Sequence, residues 1–504
     1  MRKLSFTAFA TFATFATVAA FVVPLGLSAP TPSSPNPADG EPTTGQQVVD
    51  YFRQVFRADW ERGTPYDPDV DGLGLAKSRD VTGSPNYQRK APALVETNAS
   101  ITPVLSPDNS EDAIVDLISR ANDTLLIQQM YVYSDLSSVV DAIKAAAARG
   151  VNACVLLGEG SDSTNRPTAE ALVAAGVKVR ECDGTAPLYF DVVHNKGVIV
   201  DHVEVLVSSI NWSPTSLRDN REAALLVRSA KVASYYEVLF NRDWAGSDPY
   251  DPSTSFLSSL PTPSPPPSPP VPFPAHSTPS PSPPRAPPRS AEYLPLFPTL
   301  QTFAGEVNLT LASSPDNAYE VLVNEIAQAE ESIDVSVYTF SSPFVMDAVA
   351  ERIAHGVKVR LLLGKPLGSW EMNYNRWTLA NFTAIGIPSA SGPGNLTAQG
   401  RWADPDFDYQ HCKYAIVDND TLVLSSGNWS QNSCPAPDED GEVYGNRDWW
   451  IVVYGSSPSE LPGLDGGAAG PRDVAGPRAS LTVAAAAVGL AAVASHGAST
   501  RRRR

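Results

Sequence analysis

Two stretches of the chain carry the same ionisable side chains at the same spacing. They are His194, Lys196 and Asp201 in the first stretch and His411, Lys413 and Asp418 in the second. On a β-strand, a histidine and a lysine two positions apart project from the same face. An imidazole can act as a nucleophile or as an acid and base, and an ammonium group can neutralise an anion. Each stretch therefore predicts a reactive group beside a fixed cation.

Further polar residues follow each stretch in the same order. They are Ser209, Asn211 and Glu222 after the first stretch, and Ser426, Asn428 and Asp448 after the second. The apolar run after each lysine predicts a strand, and a hairpin would return the chain so that the serine and asparagine lie near the histidine and lysine. A carboxylate from the strand after that could hold the imidazole of the set by a hydrogen bond.

Two such sets facing each other would suit a phosphodiester. One imidazole would attack phosphorus while the other protonates the leaving alcohol. The lysines and asparagines would hold the non-bridging oxygens, whose negative charge grows in the transition state. Because the cations are built into the chain, we expect neither a metal ion nor a cofactor. The remaining histidines, His202, His276, His355 and His496, show no metal-ligand spacing.

The elements that must position these residues also occur twice. The tetrapeptide Ser-Pro-Asp-Asn at 106–109 recurs at 314–317. In both places it is followed by a helical pattern, an apolar strand, a second helical pattern that ends at a glycine (Gly150 and Gly356), and another apolar strand. This order predicts a mixed or parallel sheet covered by helices.

The duplicated pattern, histidine-x-lysine-x4-aspartate with a downstream serine-x-asparagine, resembles the phospholipase D superfamily over about residues 101 to 245 and 300 to 455. The resemblance implies an α/β fold with two half-domains, each a mixed sheet flanked by helices, related by a pseudo-twofold axis and sharing one site. Two departures stand out. Ser208-Ser209-Ile replaces the usual Gly-Ser-x, and about nine extra residues separate Asn428 from Asp448.

The resemblance also implies a role for each residue. His194 would form a phosphohistidine, and His411 would act as general acid and then as base for water. The phosphate-binding set would be Lys196, Lys413, Asn211, Asn428, Ser209 and Ser426. Glu222 and Asp448 would orient the histidines, and Asp201 and Asp418 would support the motif structurally.

The predicted layout has six segments. They are residues 1–29, a signal peptide or signal anchor; 30–100, an N-terminal region; 101–252, the first half; 253–292, a Pro/Ser-rich linker; 293–456, the second half; and 457–504, a flexible tail with a candidate transmembrane segment at 481–495. Residues 261–290 hold 15 prolines in 30 positions, which excludes a helix or a central strand and predicts a disordered, extended linker.

Several features predict the secretory pathway, with an extracellular or membrane-anchored catalytic domain. An apolar run follows the basic residues at positions 2 and 3, and five glycosylation triplets begin at Asn98, Asn122, Asn308, Asn381 and Asn395. In that compartment the four cysteines could pair, and we favour Cys154 with Cys182. Membrane association through either terminus is open, and no obligate protein partner is evident. The sequence leaves open whether the first segment is cleaved and whether the tail spans a bilayer.

Two further features have more than one interpretation. Residues 51–60 resemble the closing helix of the first half at 236–244, so residues 40–70 are either the tail of a lost earlier repeat or a spare docking helix. Trp370, Met372, Tyr374, Trp377 and Trp402 lie on the approach to the second motif. They could form an aromatic lip for a substrate, although packing of an inserted helix and loop is the favoured interpretation.

The predicted function is hydrolysis of a phosphodiester through a phosphohistidine, with a phospholipid head group as the favoured substrate. One alternative is a luminal or secreted nuclease that acts on single-stranded nucleic acid, although the net charge of −18 excludes a broad basic surface. Transfer to an alcohol in place of hydrolysis is also open. The last alternative is a non-catalytic cell-surface binding protein, against which the two intact histidine–lysine sets argue.

Overall fold

The computed structural model describes residues 41–72, 74, 77–158, 162–251, 293–365, 373–385 and 397–456. Three segments of the predicted layout, residues 1–29, 253–292 and 457–504, lie outside the described residues, as do Trp370, Met372 and Asn395. Among the described residues, no helix is both long enough and apolar enough to cross a membrane.

The elements follow the two repeats. The N-terminal region contains α1 (Thr44–Arg62), β1 (Thr64–Pro65) and α2 (Pro68–Asp71). The first half contains β2 (Ala93–Ser106), α3 (Ser110–Ser119), β3 (Thr124–Gln129), α4 (Ser137–Ala148), β4 (Asn152–Gly158), α5 (Asp162–Ala174), β5 (Lys178–Cys182), β6 (Lys196–Val200), β7 (Glu204–Ser208), α6 (Pro214–Arg218), β8 (Glu222–Arg228), α7 (Ala230–Gly246) and β9 (Asp248–Pro249). The second half contains β10 (Phe303–Ser314), α8 (Ala318–Ala327), β11 (Ser332–Val337), α9 (Pro343–Ala354), β12 (Lys358–Leu363), α10 (Asn373–Ile385), β13 (Ala398–Trp402), β14 (Lys413–Val417), β15 (Thr421–Ser425) and β16 (Asp448–Tyr454).

The local patterns form the elements that they predict. Every residue of β3 and β6 is buried, as expected for apolar strands covered on both faces. The helices α4 and α9 end just before Gly150 and Gly356, which have φ angles of 93° and 90°. Glycine accepts this left-handed conformation at a helix C-terminus without steric cost.

The two halves share one mixed β-sheet. Its strand order is β1-β13-β12-β11-β14-β15-β16-β10-β2-β8-β7-β6-β3-β4-β5-β9, counted over the described strands. Strands β2 and β10 pair antiparallel from Ile101–Phe303 to Ala93–Leu311 and join the halves. Outward from this pair the two arms follow the same order, so the sheet has the predicted pseudo-twofold symmetry. In each arm three strands are parallel (β3, β4 and β5; β11, β12 and β13) and the rest of the arm is antiparallel.

The N-terminal helix α1 completes the second half. In the first half, α7 packs against β2, β7 and β8, and β9 pairs with the edge strand β5. Helix α1 packs against the equivalent strands β10, β15 and β16, and β1 pairs with the edge strand β13. The resemblance between residues 51–60 and 236–244 therefore marks two equivalent closing helices. The segment docks on the second half, as the second of the two interpretations expects. Its origin as the tail of an earlier repeat stays a prediction.

The hydrophobic effect explains how α1 docks so far from its position in the chain. Val48, Phe52, Val55 and Phe56 recur at helical spacing and are all at most 1% exposed. They lie in one core that also contains α7 and residues from the sheet strands of both halves. Burial of these large side chains stabilises the docked position.

The predicted pairing of Cys154 with Cys182 is wrong. Cys154 is opposite Lys178 on the neighbouring parallel strand, and Cys182 is opposite Gly158. The two cysteines are thus four positions out of register, or roughly 13 Å along the strands, whereas a disulfide needs Cα atoms within about 7 Å. Cys154, Cys182, Cys412 and Cys434 are all buried free thiols.

Packing, not an aromatic lip, accounts for the two described tryptophans on the approach to the second motif. Trp402 is 1% exposed and lies edge-on against Tyr66, with 5.7 Å between ring centroids. Trp377 packs against the hydrophobic core of the second half, to which Trp402 belongs. The ring of Tyr374 lies 5.0 Å from Nζ of Lys77.

Candidate active site

The two histidine–lysine sets occupy equivalent strand positions. Lys196 begins β6 and pairs with Gln129, and Lys413 begins β14 and pairs with Val337. Each ammonium group donates to the backbone oxygen of its own histidine, at 2.7 Å in the case of Lys413 and His411.

The residues between each histidine and lysine are buried and bond elsewhere, as the strand alternation predicts. Asn195 Nδ2 donates to Gln128, and Cys412 Sγ donates to the backbone oxygen of Arg221. The histidine and lysine of each set are thereby left on the other face of the strand.

The orienting carboxylates cross between the halves. Nδ1 of His194 lies 2.8 Å from Oδ1 of Asp448, and Nδ1 of His411 lies 2.7 Å from Oε2 of Glu222. The sequence-based expectation that each set contains its own carboxylate is therefore wrong. Glu222 is the first residue of β8 and Asp448 is the first residue of β16. The sheet places each of these carboxylates beside the histidine of the other half.

Ser209 and Ser426 hold these carboxylates. Ser209 Oγ donates to Glu222 at 2.7 Å, and Ser426 Oγ donates to Asp448 at 2.7 Å. Each hydroxyl also accepts from a backbone N–H, that of Ala223 or Trp449. Since a serine has one hydrogen to donate, these two hydroxyls support the carboxylates in this structure. Phosphate binding by them stays a prediction.

Asn211 and Asn428 carry matching unsatisfied groups. The side-chain oxygens of both are buried and have no hydrogen-bond partner in the described part of the chain. The side chain of Asn211 lies beside the phenol of Tyr131. Buried polar atoms are costly to leave unpaired, so this pair of amides is suited to a bound polar ligand.

Asp201 and Asp418 lie at the far ends of β6 and β14, away from the histidines. The carboxylate of Asp201 accepts from the backbone N–H groups of residues 122–124, and that of Asp418 accepts from those of residues 330–332. Both residues have positive φ angles, 50° and 51°, in the three-residue turns that join β6 to β7 and β14 to β15. These contacts agree with the structural role that the resemblance implies.

The His194–Asp448 pair is suited to a nucleophile. Burial lowers the pKa of His194, and the attraction of Asp448 offsets only part of that effect. Burial raises the pKa of Asp448, but the charge and hydrogen bond of His194 and the charge of Lys196 outweigh it and hold this pKa below its usual value. Near neutral pH the pair therefore combines a neutral imidazole with an anionic carboxylate.

The His411–Glu222 pair is suited to an acid. Burial raises the pKa of Glu222 to about 8, although Lys413 opposes this shift. Burial and the charges of Lys413 and Lys196 hold the pKa of His411 well below its usual range. At neutral pH the pair thus keeps one proton. If Glu222 donates it to Nδ1 of His411, the ring carries its other hydrogen on Nε2.

Charged groups of both halves shift the pKa values of the two lysines. Burial lowers the pKa of Lys196 to about 8, against the attraction of Asp448 and Glu222. Burial lowers the pKa of Lys413 to about 7, against the attraction of Glu222, and the charge of Lys196 adds to the lowering. Because Lys196 and His194 also act on His411, the two sets form one electrostatic centre. Within the described residues, no three histidine, cysteine or acidic side chains converge as they would to hold a metal ion.

Comparison with known proteins decides the family. A family model described as "Cardiolipin synthase, PLD-like domain" matches residues 114–244 and, independently, residues 322–452, which together make up just over half of the chain. The chain belongs to the phospholipase D superfamily. The chain has an α/β fold with two PLD-like repeats, and the predicted resemblance is confirmed.

Curated superfamily relatives are similar over part of the chain. Phospholipase D Y of Dictyostelium discoideum is 26% identical over 28% of this chain and 35% of its own length. The mitochondrial cardiolipin hydrolase of Xenopus tropicalis is 25% identical over 31% of this chain and 72% of its own length. Cardiolipin synthase A of Klebsiella pneumoniae is 29% identical over 36% of this chain and 35% of its own length. The matched region thus spans about a third of the length of the first and third relatives.

Two solved structures are similar to this chain at low identity. Phosphatidylserine synthase from Haemophilus influenzae Rd KW20 is 13% identical, with a TM-score of 0.46 over 72% of this chain and 83% of its own. Nuc from Salmonella typhimurium is 19% identical, with a TM-score of 0.28 over 30% of this chain and 98% of its own.

Sequence reasoning missed two kinds of residue in this superfamily member. Arg221 and Arg447, which directly precede the orienting carboxylates, are 0% exposed. Their recurrence in Asn-Arg-Glu and Asn-Arg-Asp triplets was the available signal. Tyr338 was missed as well. It directly follows β11, and its ring lies 4.7 Å from that of His411 between centroids. An aromatic residue at the end of a buried strand gives no separate signal in a single sequence.

Proposed function

We propose that the protein hydrolyses a phosphodiester through a covalent phosphohistidine, with His194 as the nucleophile and His411 as the general acid. One observation carries the proposal. The two histidines bond to carboxylates from opposite halves, and burial raises the pKa of Glu222 to about 8 while the charge and hydrogen bond of His194 hold the pKa of Asp448 below its usual value. One reactive group without a proton and one with a proton are what the two ends of a phosphodiester bond require.

In the first step, Nε2 of His194 forms a bond to phosphorus while the bond from phosphorus to the leaving alcohol breaks. Asp448 holds Nδ1 of His194 and stabilises the positive charge that develops on the ring. The leaving oxygen receives the proton held by the His411–Glu222 pair, through Nε2 of His411. The products of this step are a free alcohol and phosphohistidine 194.

In the second step, water replaces the alcohol. His411, now without its extra proton, takes a proton from water as the oxygen attacks phosphorus, and the bond from phosphorus to His194 breaks. The phosphomonoester leaves, and the proton returns to the His411–Glu222 pair. An alcohol that entered in place of water would give transfer instead of hydrolysis by the same bond changes.

Charge on the non-bridging oxygens grows in both steps. Lys196 and Lys413 supply positive charge, and the side-chain amides of Asn211 and Asn428 supply hydrogen bonds. In each amide the NH2 group is the donor to phosphate, because the buried side-chain oxygen, which lacks a partner among the described residues, can only accept. Their positions were fixed before substrate arrives, so little reorganisation is needed.

A phospholipid head group is the favoured substrate. The family model carries the name of cardiolipin synthase, and curated relatives are a phospholipase D, a cardiolipin hydrolase and cardiolipin synthases. The net charge of −18 also favours a substrate with few phosphates over a long polyanion.

Single-stranded nucleic acid is the second candidate, and one observation favours it. Two tyrosine pairs lie near the site, Tyr131 with Tyr133 at 5.4 Å and Tyr338 with Tyr409 at 6.1 Å between ring centroids. Tyr133 and Tyr409 are both 39% exposed. Exposed aromatic rings can stack on unpaired bases with little sequence preference.

The test is a substrate panel with the full chain on phosphatidylcholine, cardiolipin, and 5′- or 3′-labelled oligonucleotides. His194→Ala and His411→Ala should each lower turnover by at least about 10³-fold, because each variant removes a whole step. Near-normal turnover by His411→Ala would contradict a shared site. Acid-labile phosphate trapped on His194 during turnover separates an enzyme from a binding protein that keeps the fold.

We also propose that the catalytic unit lies in the secretory pathway or outside the cell. The triplet residues Asn98 and Asn122 are exposed, which leaves room for a glycan. A mobility shift of the natural protein on treatment with an N-glycosidase, lost in the Asn98→Gln/Asn122→Gln variant, tests this proposal. An unmodified protein in both forms would contradict it.

A further inference from the structure

A buried arginine precedes each orienting carboxylate and is held from several sides. Nε of Arg221 lies 2.9 Å from Asp59, and Nη1 lies 3.1 Å from Asp108. The ring of Phe407 lies 5.3 Å from the guanidinium carbon. Arg221 and both carboxylate side chains are at most 1% exposed. A buried cation of this kind is stable only while its partners remain charged and in place.

The backbone of Arg221 is bonded to the segment before β14, which carries His411. The N–H of Arg221 donates to the oxygen of Tyr409 at 2.9 Å, and the N–H of His411 donates to the oxygen of Arg221 at 2.8 Å. Glu222, which bonds the His411 ring, is the next residue. The position of Arg221 therefore fixes both members of the His411–Glu222 pair.

One partner of Arg221 comes from a remote part of the chain. Asp59 lies on α1, 162 residues before Arg221, and α1 is the closing helix of the second half. An aspartate of the second half thus holds an arginine of the first half, and that arginine positions a histidine of the second half.

The other half repeats this arrangement. Arg447 lies 2.8 Å from Asp243 on the closing helix α7 and 2.6 Å from Asp316. The N–H of His194 donates to the oxygen of Arg447 at 3.0 Å. The recurrence of the same contacts about the pseudo-twofold axis indicates a role beyond the packing of one helix.

We propose that Asp59 is a positioning residue for His411, acting through Arg221, and that Asp243 is the corresponding residue for His194, acting through Arg447. The inference rests on the proposed function, in which these histidines carry the chemistry. Neither aspartate contacts the reacting groups. Each one sets the geometry of a single histidine–carboxylate pair, so loss of one should disturb one histidine and not the other.

The two positions are not equally supported. Nη2 of Arg447 donates to the hydroxyl of Tyr87 at 3.0 Å. Nη1 of Arg447 donates to the backbone oxygen of Ser314 at 2.8 Å, whereas the equivalent bond from Arg221 to Ser106 is 3.5 Å long. Nη2 of Arg221 has no partner among the described residues. The arginine that depends on α1 is therefore the more weakly held, and loss of Asp59 should disturb the site more than loss of Asp243.

The test uses the full chain with its histidines labelled with ¹³C, since only six histidines are present. Spectra of His194→Ala and His411→Ala assign the two signals. In Asp59→Asn the signal of His411 and its titration midpoint should shift while those of His194 stay. In Asp243→Asn the His194 signal should shift instead. Asp50→Asn is the matched control, because Asp50 lies on the same helix and pairs with Arg53 on the surface.

Kinetics give the second measurement. Asp59→Asn should lower kcat by about 10- to 100-fold, as small displacements of reacting groups do, while KM stays near that of Asp50→Asn. The inference would be overturned if the Asp59→Asn variant had the same spectrum and the same kcat as the Asp50→Asn control. A variant in which both histidine signals shift equally would overturn it as well.

The spectra do not depend on the substrate, so they decide the inference even if no phosphodiester is hydrolysed, which would be a failure of the proposed function alone. If Asp59→Asn does not fold, Asp243→Asn decides. A shift of His411, or of neither histidine, in that variant overturns the inference.

Discussion

Nδ1 of His194 lies 2.8 Å from the carboxylate of Asp448, although 254 residues separate them in the chain. The reciprocal pair, His411 and Glu222, spans 189 residues. Each half therefore carries a histidine that is oriented only when the other half has packed against it. An imidazole without its carboxylate loses its fixed tautomer and orientation, so the reactive site exists only in the assembled sheet.

Removal of the negative charge from Asp448 tests the crossed pairing. Asp448→Asn should lower the rate of phosphoenzyme formation by about 10²- to 10⁴-fold, as loss of a histidine-orienting carboxylate does elsewhere. Single-turnover experiments with rapid acid quench measure this rate. Asp50→Asn, which changes an exposed carboxylate on α1, should leave it unchanged. If Glu222→Gln rather than Asp448→Asn were the variant that abolished attack by His194, the crossed pairing would be wrong.

We expect kcat/KM to fall with rising pH at a lower pH than an ordinary lysine would cause. Lys413 has a pKa of about 7, and Lys196 and Glu222 have pKa values of about 8. As the pH rises through these values, the lysines lose positive charge and the His411–Glu222 pair loses its proton. Phosphate binding and leaving-group protonation both weaken, so kcat/KM should fall above about pH 7.

Lys413→Arg provides the matched variant for the pH profile. Arginine stays charged at every accessible pH. The fall in kcat/KM of this variant should therefore come at a higher pH than in the wild type, even though its maximal rate is lower. The fall in kcat should also come at higher pH than the fall in kcat/KM, because a bound phosphate stabilises the charged lysines. A wild-type limb at about 10.4, the pKa of an ordinary lysine, would contradict the prediction.

Loss of Arg447 should be strongly destabilising. Arg447→Met leaves Asp243 and Asp316 buried without their cation, which costs about 3–5 kcal/mol in other buried pairs. The free energy of unfolding from denaturant titration is the measurement. Arg79→Met is the control, because the Arg79–Asp347 pair is more than half exposed on both sides and should cost at most about 1 kcal/mol. Equal losses of unfolding free energy in Arg447→Met and Arg79→Met would contradict the prediction.

Asp201 should prove structural and not catalytic. Asp201→Ala leaves the N–H groups of residues 122–124 without their acceptor, and each lost partner of this kind costs about 1–3 kcal/mol where it is buried. We expect a lower midpoint of thermal unfolding and a kcat near that of the wild type at temperatures where the variant is folded. A loss of kcat as large as that of His194→Ala, with unchanged thermal stability, would assign Asp201 to the chemistry.

Local sequence patterns were sufficient for the elements and for the selection of the candidate site residues. The apolar runs predicted β3 and β11, and Gly150 and Gly356 marked the ends of α4 and α9, because the conformation of a short segment depends on its own residues. The spacing of His194 and Lys196 also placed both on one strand face, since alternation on a strand is a local property. The repetition of the pattern predicted a second, equivalent half.

The tertiary structure decided which residues meet. The sequence placed Glu222 in the set of His194, but β8 and β16 present their carboxylates across the pseudo-twofold axis. Likewise, the similarity of residues 51–60 to the closing helix showed a relationship but not a location. Only the packing of Val48, Phe52 and their neighbours against the strands of the second half placed α1 there.

The same limit explains the error over the cysteines and the missed arginines. Cys154 and Cys182 lie on neighbouring strands, yet the register between those strands sets them four positions apart. Arg221 is significant because Asp59 and His411 lie on either side of it. Contacts between distant segments depend on strand order, register and the burial of apolar faces summed over the whole chain, so they follow from the folded arrangement and not from the spacing of residues along any one stretch.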